Sequence, residues 1–293
     1  MHSFKQYISE QRQVIDLIEK QIIVGKGKRY GQVIFMAGGA GSGKGFAIKN
    51  FIEGEKFKVR DPDEIKKAFL RLAELKKKYK EIRGLDLRKP KDAFKLHKWI
   101  ENKRIKEKTL KLLLQDARRG ILPNILIDTT MQSKSKIQEA LPSLMAAGYD
   151  PKNVHIVWVL TDYAVAIKQN RNPERGRVVP EDIMLQTHEG AASTMHKFII
   201  SGTPRGIDGG VYIVLGGRKN TVFYTDSKGK PIKTGKKKDT MVVRDFSYIT
   251  MKKPGSAMTN NKGLQQKAFN WIMDNAPKTL TNKNIFGTGQ ETS

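Results

Sequence analysis

The sequence predicts an α/β protein whose central sheet is parallel and carries helices on both faces. Short apolar runs of strand length recur along the chain (QVIFMA at 32–37, NILI at 124–127, VHIVWVL at 154–160), and stretches of helical spacing separate them. Glycines, carboxylates or hydroxyls follow directly after the runs. Brief, wholly apolar runs suit strands buried on both faces, and their alternation with helices calls for crossover connections and parallel pairing.

Element by element, residues 4–24 place Ile8, Val14, Ile15, Leu17, Ile18 and Ile22 at near-helical spacing and predict an amphipathic helix. GKGKRYG then reads as a basic linker, so 1–30 is a leading segment. The run at 32–37 is the first strand, eight residues rich in glycine follow it, and 46–52 resumes as a helix. KFKVR at 56–60 is a second strand that ends in Asp61-Pro62-Asp63-Glu64. Residues 65–119 read as a basic helical insertion, with Gly84 and Pro90 as breaks. The third strand ends in Asp128-Thr129-Thr130, 135–147 reads as one helix closed by Gly148, and 154–160 is the fourth strand. After a helix at 163–169, NRNPERGRVVPEDI forms an arginine-rich lid at about 170–180. The core thus extends over 31–208. From 209 the texture changes to a basic, β-containing extension with a hairpin around 226–229 and a last amphipathic helix at 264–275.

The glycine-rich turn is Gly38-Gly39-Ala40-Gly41-Ser42-Gly43-Lys44-Gly45, followed by Phe46. It fits the phosphate-binding pattern G-x-x-x-x-G-K-[ST] at seven positions, with glycine where the pattern has a hydroxyl. In such a loop the backbone N–H groups and the helix N-terminus hold phosphates, and lysine neutralises their outer charge. Residues 38–46 are therefore the predicted nucleotide site. Gly45 removes the usual magnesium ligand; since magnesium keeps several waters, Asp128, Thr129 and Ser42 are the candidates to hold it. Phosphoryl transfer also needs a group to orient the attacking hydroxyl. Asp63 is preferred, because Asp61 stands where a helix cap before Pro62 is expected. Arg171, Arg175 and Arg177 can stabilise the charge on the transferred group from within the same chain, and a solvated basic loop is the plainer account of them. His188 and His196 show no metal-ligand spacing and read as ordinary helix residues, and Trp158 reads as core.

Composition narrows the partners. Lys+Arg 55 against Asp+Glu 29 gives a net charge of +26 in 293 residues. A charge of that size favours a polyanion such as nucleic acid, or an anionic membrane surface. There is no cysteine, which excludes disulfides and thiolate chemistry. The beginning of the chain shows no apolar signal region, and no apolar run approaches the roughly 18 residues of a spanning helix, so a cytoplasmic protein without membrane segments is expected. The oligomeric state is left open.

The ordered set GGAGSGKG (38–45), VRDPDEIKKAF (59–69), ILIDTT (125–130) and AAGYDPKNVHIVWVLTDYAVAIKQNRNPERGRVVPEDI (146–183) resembles the zeta-toxin and polynucleotide-kinase group of P-loop kinases, common in large DNA phages. The likeness spans 32–189 and leaves out the basic insertion and the segment after 209. It implies the three-layer P-loop NTPase fold and ATP as phosphate donor. It also implies Lys44 on the phosphates, an aspartate after the second strand as base (Asp63, with Asp61 in reserve), and Arg171 and Arg177 as lid arginines. Gly45 departs from the Ser or Thr of the group. Members phosphorylate the 5′ end of nucleic acid, a hydroxymethyl group on a DNA base, or the sugar of a nucleotide-activated hexosamine. With the charge, this gives an ATP- and Mg2+-dependent kinase of a nucleic acid or nucleotide hydroxyl as the expected activity. The alternatives are a nucleotide-sugar kinase and a catalytically blunted, ATP-gated nucleic-acid-binding protein, and a phage-encoded chain would act in the host cytoplasm.

Overall fold

The computed structural model describes residue 22 and residues 30–52, 57–76, 79–115, 120–172, 177–234 and 240–279. The helix expected at 4–24 lies outside them except for Ile22, which is buried and donates its N–H to the Phe51 carbonyl at 2.8 Å.

A six-stranded sheet in the order β10-β5-β4-β1-β3-β2 forms the centre. Its members are β1 (Val33–Ala37), β2 (Lys58–Arg60), β3 (Ile125–Asp128), β4 (Val154–Leu160), β5 (Val211–Leu215) and β10 (Tyr248–Lys252). All neighbours pair in parallel except β10, which runs antiparallel to β5. Side chains alternate between the two sides of β1, as strand geometry requires. Val33, Phe35 and Ala37 join one core with Trp158, Ile213, Leu144, Phe198 and Ile272; Ile34 and Met36 join the other with Ala47, Phe51, Val159 and Val214.

The helices are α1 (Lys44–Asn50), α2 (Pro62–Lys76), α3 (Pro90–Asn102), α4 (Ile105–Leu113), α5 (Ser135–Gln138), α6 (Leu141–Ala146), α7 (Tyr163–Asn170), α8 (Glu181–Ser201) and α9 (Lys262–Asn275). The single helix expected over 135–147 is two. Pro142 stands in the first turn of α6, where its missing N–H is harmless; inside a continuous helix it would break the ladder. The second strand is shorter than expected, and the helix after the glycine-rich turn starts earlier, at Lys44 itself.

The insertion between β2 and β3 has a core of its own, in which Ala73, Ile82, Leu87, Leu96, Trp99, Ile100 and Ile105 are buried. Phe69, Tyr79 and Trp99 meet edge to face there, with centroids 5.2–5.6 Å apart. The segment after 208, expected as an extension, supplies β5 and β10 to the central sheet and packs α9 on it. Its remaining described strands are short antiparallel pairs: β6 (Thr221–Phe223) with β9 (Val243–Phe246), and β7 (Lys233–Thr234) with β8 (Thr240–Met241). The turn at 226–229 forms as predicted: Asp226 N–H donates to the Lys230 carbonyl, while the Asp226 carboxylate accepts from the N–H groups of Lys228 and Lys230.

Candidate active site

The glycine-rich turn and the candidate carboxylates Asp61, Asp63 and Asp128 lie at the carboxyl ends of the parallel strands, as expected for a sheet of this kind. Residues 38–43 join β1 to α1. Gly43 adopts φ 85° as the residue before α1, a left-handed conformation that glycine takes without strain. At Gly39 the constraint is space: a Cβ would lie 2.2 Å from the His188 ring. Thr161, just past β4, fixes the loop from below by donating to the Ser42 carbonyl at 2.6 Å. Lys44 Nζ donates to the carbonyls of Gly38 and Gly39 at 2.8 and 3.2 Å and lies 3.7 Å from Asp128 Oδ1.

Asp128 ends β3. Burial pushes its carboxyl up to about 6; Lys44 opposes that shift, and the charges of Asp61 and Asp63 add to it. Its Oδ1 is buried and has no hydrogen-bond partner, since Lys44 stands beyond bonding distance. The Asp61 carboxylate accepts the Asp63 N–H at 2.7 Å, so Asp61 caps α2 just ahead of Pro62. Asp63 is left to face outward, where its Oδ1 accepts from Arg177 at 2.5 Å and lies 3.7 Å from Lys66 Nζ.

The lid is pinned at its base. Asn170 donates to the Val179 carbonyl at 2.7 Å and accepts the Val179 N–H at 3.0 Å, closing the loop on itself. Arg171 pairs with Glu181 at the start of α8, while Arg177 reaches across to Asp63. Two of the three predicted lid arginines are therefore located; Arg175 lies outside the described residues.

The candidate magnesium ligands separate. The Thr129 hydroxyl accepts from Met131 N–H at 3.1 Å, and the Ser42 hydroxyl is buried, unpartnered, and so close under Gly38 that a Cβ there would lie 2.6 Å from it. Gly45 is exposed, and a Cβ on it would meet nothing within 4 Å. An unpartnered carboxylate oxygen 3.7 Å from the Lys44 ammonium is the kind of donor a hydrated divalent cation takes. No cluster of three or more His, Asp or Glu side chains converges as a metal site among the described residues. None of the described helices is long and apolar enough to cross a membrane.

One contact of the loop lies outside the sequence expectations. His188 is buried under the loop with Nε2 2.8 Å from the Ala40 carbonyl, and the neighbouring Thr187 hydroxyl accepts the Ala40 N–H at 3.3 Å. The signal was present: Thr187 and His188, like Thr194 and His196 further along, fall among the buried apolar and small residues of α8, such as Met184, Ala191, Ala192 and Met195. Polar groups buried in such a stripe need partners from elsewhere in the fold. His196 is also buried and lies against Phe269, with centroids 5.0 Å apart.

Residues 19–228 match the sequence model of the zeta toxin family. The match takes in the basic insertion and the start of the segment after 209, further than the sequence motifs alone reach. No curated protein sequence matches the chain. Among solved structures, the PezAT chromosomal toxin-antitoxin system of Streptococcus pneumoniae is similar at 16% identity and TM-score 0.43, over 93% of this chain and 97% of that one. The AvrRxo1-ORF1:-ORF2 complex with ATP is similar at 12% identity and TM-score 0.44, over 81% of this chain and 63% of that chain. This chain thus spans less than two thirds of that second relative.

Proposed function

The chain belongs to the zeta toxin family, an ATP-using group of P-loop kinases, and from that premise we propose that it transfers the γ-phosphate of ATP to a hydroxyl of a nucleic acid or nucleotide. The observation that carries the assignment of the base is the division of labour between two neighbouring aspartates. Asp61 is spent on capping α2, whereas Asp63 faces the lid and pairs with Arg177. Asp63 is therefore the group that accepts the proton of the attacking hydroxyl, with Asp61 fixing the helix that presents it.

Before transfer, Lys44 leaves the carbonyls of Gly38 and Gly39 and turns to the outer phosphates, which N–H groups of the loop other than that of Ala40 hold. Arg177 releases Asp63 and, with Arg171, stabilises the charge on the transferred group; Arg175 belongs to the same lid and is assigned the same role. The acceptor oxygen then bonds to the γ-phosphorus, the bond to the leaving ADP oxygen breaks, and the hydroxyl proton passes to Asp63. Magnesium bound with ATP supplies further charge neutralisation. Asp128 would hold it, with waters in place of the hydroxyl that Gly45 lacks and with Thr129 nearer than Ser42 to serving as a second oxygen.

The net charge of +26 supports a phosphate-rich acceptor, either a 5′ hydroxyl end or a hydroxymethylated base. A nucleotide sugar is the second reading, favoured by the reach of the family match across the insertion that borders the acceptor side. The deciding experiment offers labelled ATP and magnesium with DNA and RNA bearing 5′ hydroxyls, hydroxymethylated DNA, and nucleotide sugars, wild type beside Lys44→Ala. Label on one acceptor, lost in the variant, identifies the substrate. ATP binding without transfer to any acceptor on the panel would overturn the nucleic-acid and nucleotide-sugar readings together.

A further inference from the structure

A loop made largely of glycine has the most backbone freedom to lose, and its peptide groups turn over easily unless something outside the loop holds them. Ala40 is the residue between Gly39 and Gly41. Both of its backbone polar groups are held by consecutive side chains of α8: its N–H by the Thr187 hydroxyl and its carbonyl by His188 Nε2. The Thr187 hydroxyl donates in turn to the Met184 carbonyl at 2.9 Å, so it accepts from the loop and donates to its own helix. A carbonyl oxygen can only accept, so the hydrogen of His188 sits on Nε2. The same helix touches two other parts of the site. Its first residue, Glu181, pairs with Arg171 of the lid. Further along, Gly190 lies so close to the loop after β3 that a Cβ would be 2.4 Å from the Gln132 carbonyl, which also accepts from Thr194 at 3.4 Å.

We propose that His188, assisted by Thr187, is a positioning residue that locks the peptide groups on either side of Ala40 for phosphate binding. The role rests on the reading of this loop as an ATP site. Fixing Ala40 restrains the flanking glycine peptides from both sides.

The test is equilibrium binding of labelled ATP to wild type, His188→Gln, His188→Ala and Thr187→Val, with amide hydrogen exchange over 181–188 measured with and without ATP. Losing one hydrogen bond in the clamp is expected to weaken ATP binding by about tenfold in His188→Ala and about threefold in Thr187→Val. His188→Gln, whose amide N–H can still reach the Ala40 carbonyl, is expected within about threefold of wild type. ATP should slow exchange across 181–188 in wild type and His188→Gln but not in His188→Ala. Equal ATP affinity in His188→Ala and wild type would overturn the role. So would His188→Gln binding as weakly as His188→Ala, because ring packing on Gly39 would then be the whole effect. If His188→Ala does not fold, Thr187→Val and His188→Gln decide, and an unchanged affinity in Thr187→Val overturns the clamp. Wild type that fails to bind ATP sinks the nucleotide-site reading itself, whereas unaffected variants of an ATP-binding wild type sink the clamp alone.

Discussion

The loop at 38–45 and the helical insertion between β2 and β3 flank the same site and are built on opposite principles. The loop is closed in from several sides: Thr161 below it, Thr187 and His188 beside it, and no room for a methyl group on Gly39. The insertion holds its shape with a separate apolar core and spends its outer surface on cations. Lys91, Lys95 and Lys98 line the exposed face of α3, with Lys98 Nζ 4.8 Å from the centre of the exposed Phe94 ring. Close packing serves a ligand whose shape is fixed, as a triphosphate is. A solvated charged face suits a partner recognised by its charge. The difference teaches that the clamped part of the loop, at Gly39 and Ala40, tolerates little change, whereas an insertion with its own core can vary its exposed residues one by one.

The largest expected effect tests the crowded side. Gly39→Ala forces a Cβ against the His188 ring, and overpacking of that kind costs about 1–3 kcal/mol. Thermal unfolding and ATP titration should show a melting point lower by roughly 5 °C and ATP affinity down by more than tenfold. A variant that keeps wild-type values would show that the loop is not clamped.

Asp128→Asn comes next, with an effect that depends on pH. Burial raises the Asp128 carboxyl to about 6 in the folded chain, above its ordinary value of 3.8. Its stabilising effect is therefore full only below the ordinary carboxylate range and is lost as pH rises through about 6. Asparagine stays neutral throughout, so without ATP the variant should gain stability between those two values and hold a constant advantage above them, of about 3 kcal/mol. Melting curves from pH 4 to pH 8 check this (roughly that span covers the transition), and an advantage independent of pH would contradict it. With magnesium and ATP present, wild type should recover more than the variant does.

On the open side, Lys95→Ala with Lys98→Ala should leave ATP affinity within about twofold. The slope of log affinity for single-stranded DNA against log salt should fall by about one for each lysine removed. An unchanged slope would mean that α3 does not follow a phosphate backbone. The smallest effect is expected where the crowded side is open. Gly45→Ser introduces a side chain that meets nothing, so stability should stay within about 0.5 kcal/mol. The magnesium concentration needed for half-maximal ATP affinity should fall, and a rise would show that Gly45 already serves the metal better than a hydroxyl.

Much of this was legible from local chemistry. The runs at β1, β3 and β4 read as strands because each is short, almost wholly apolar and buried on both faces. The tight turn between β1 and α1 was legible because its glycine spacing and lysine lie within a few residues of one another. The split at Pro142 was missed because the apolar spacing continues through it, although proline alone warned of a break. The places of β5 and β10 in the main sheet were not legible, because β5 pairs with β4 across a whole lid and helix, and β10 closes back on β5 from further still.

The sequence by itself determined the phosphate loop, the carboxylates at the strand ends and the basic face, since each is a matter of neighbouring residues and composition. Only the tertiary structure decided that Asp63 meets Arg177, and that His188 reaches from a distant helix to hold Ala40. The physical reason is that a side chain's role follows from which donors and acceptors surround it. For these residues the partners that settle the role are brought close by packing of the sheet and α8 rather than by order along the chain.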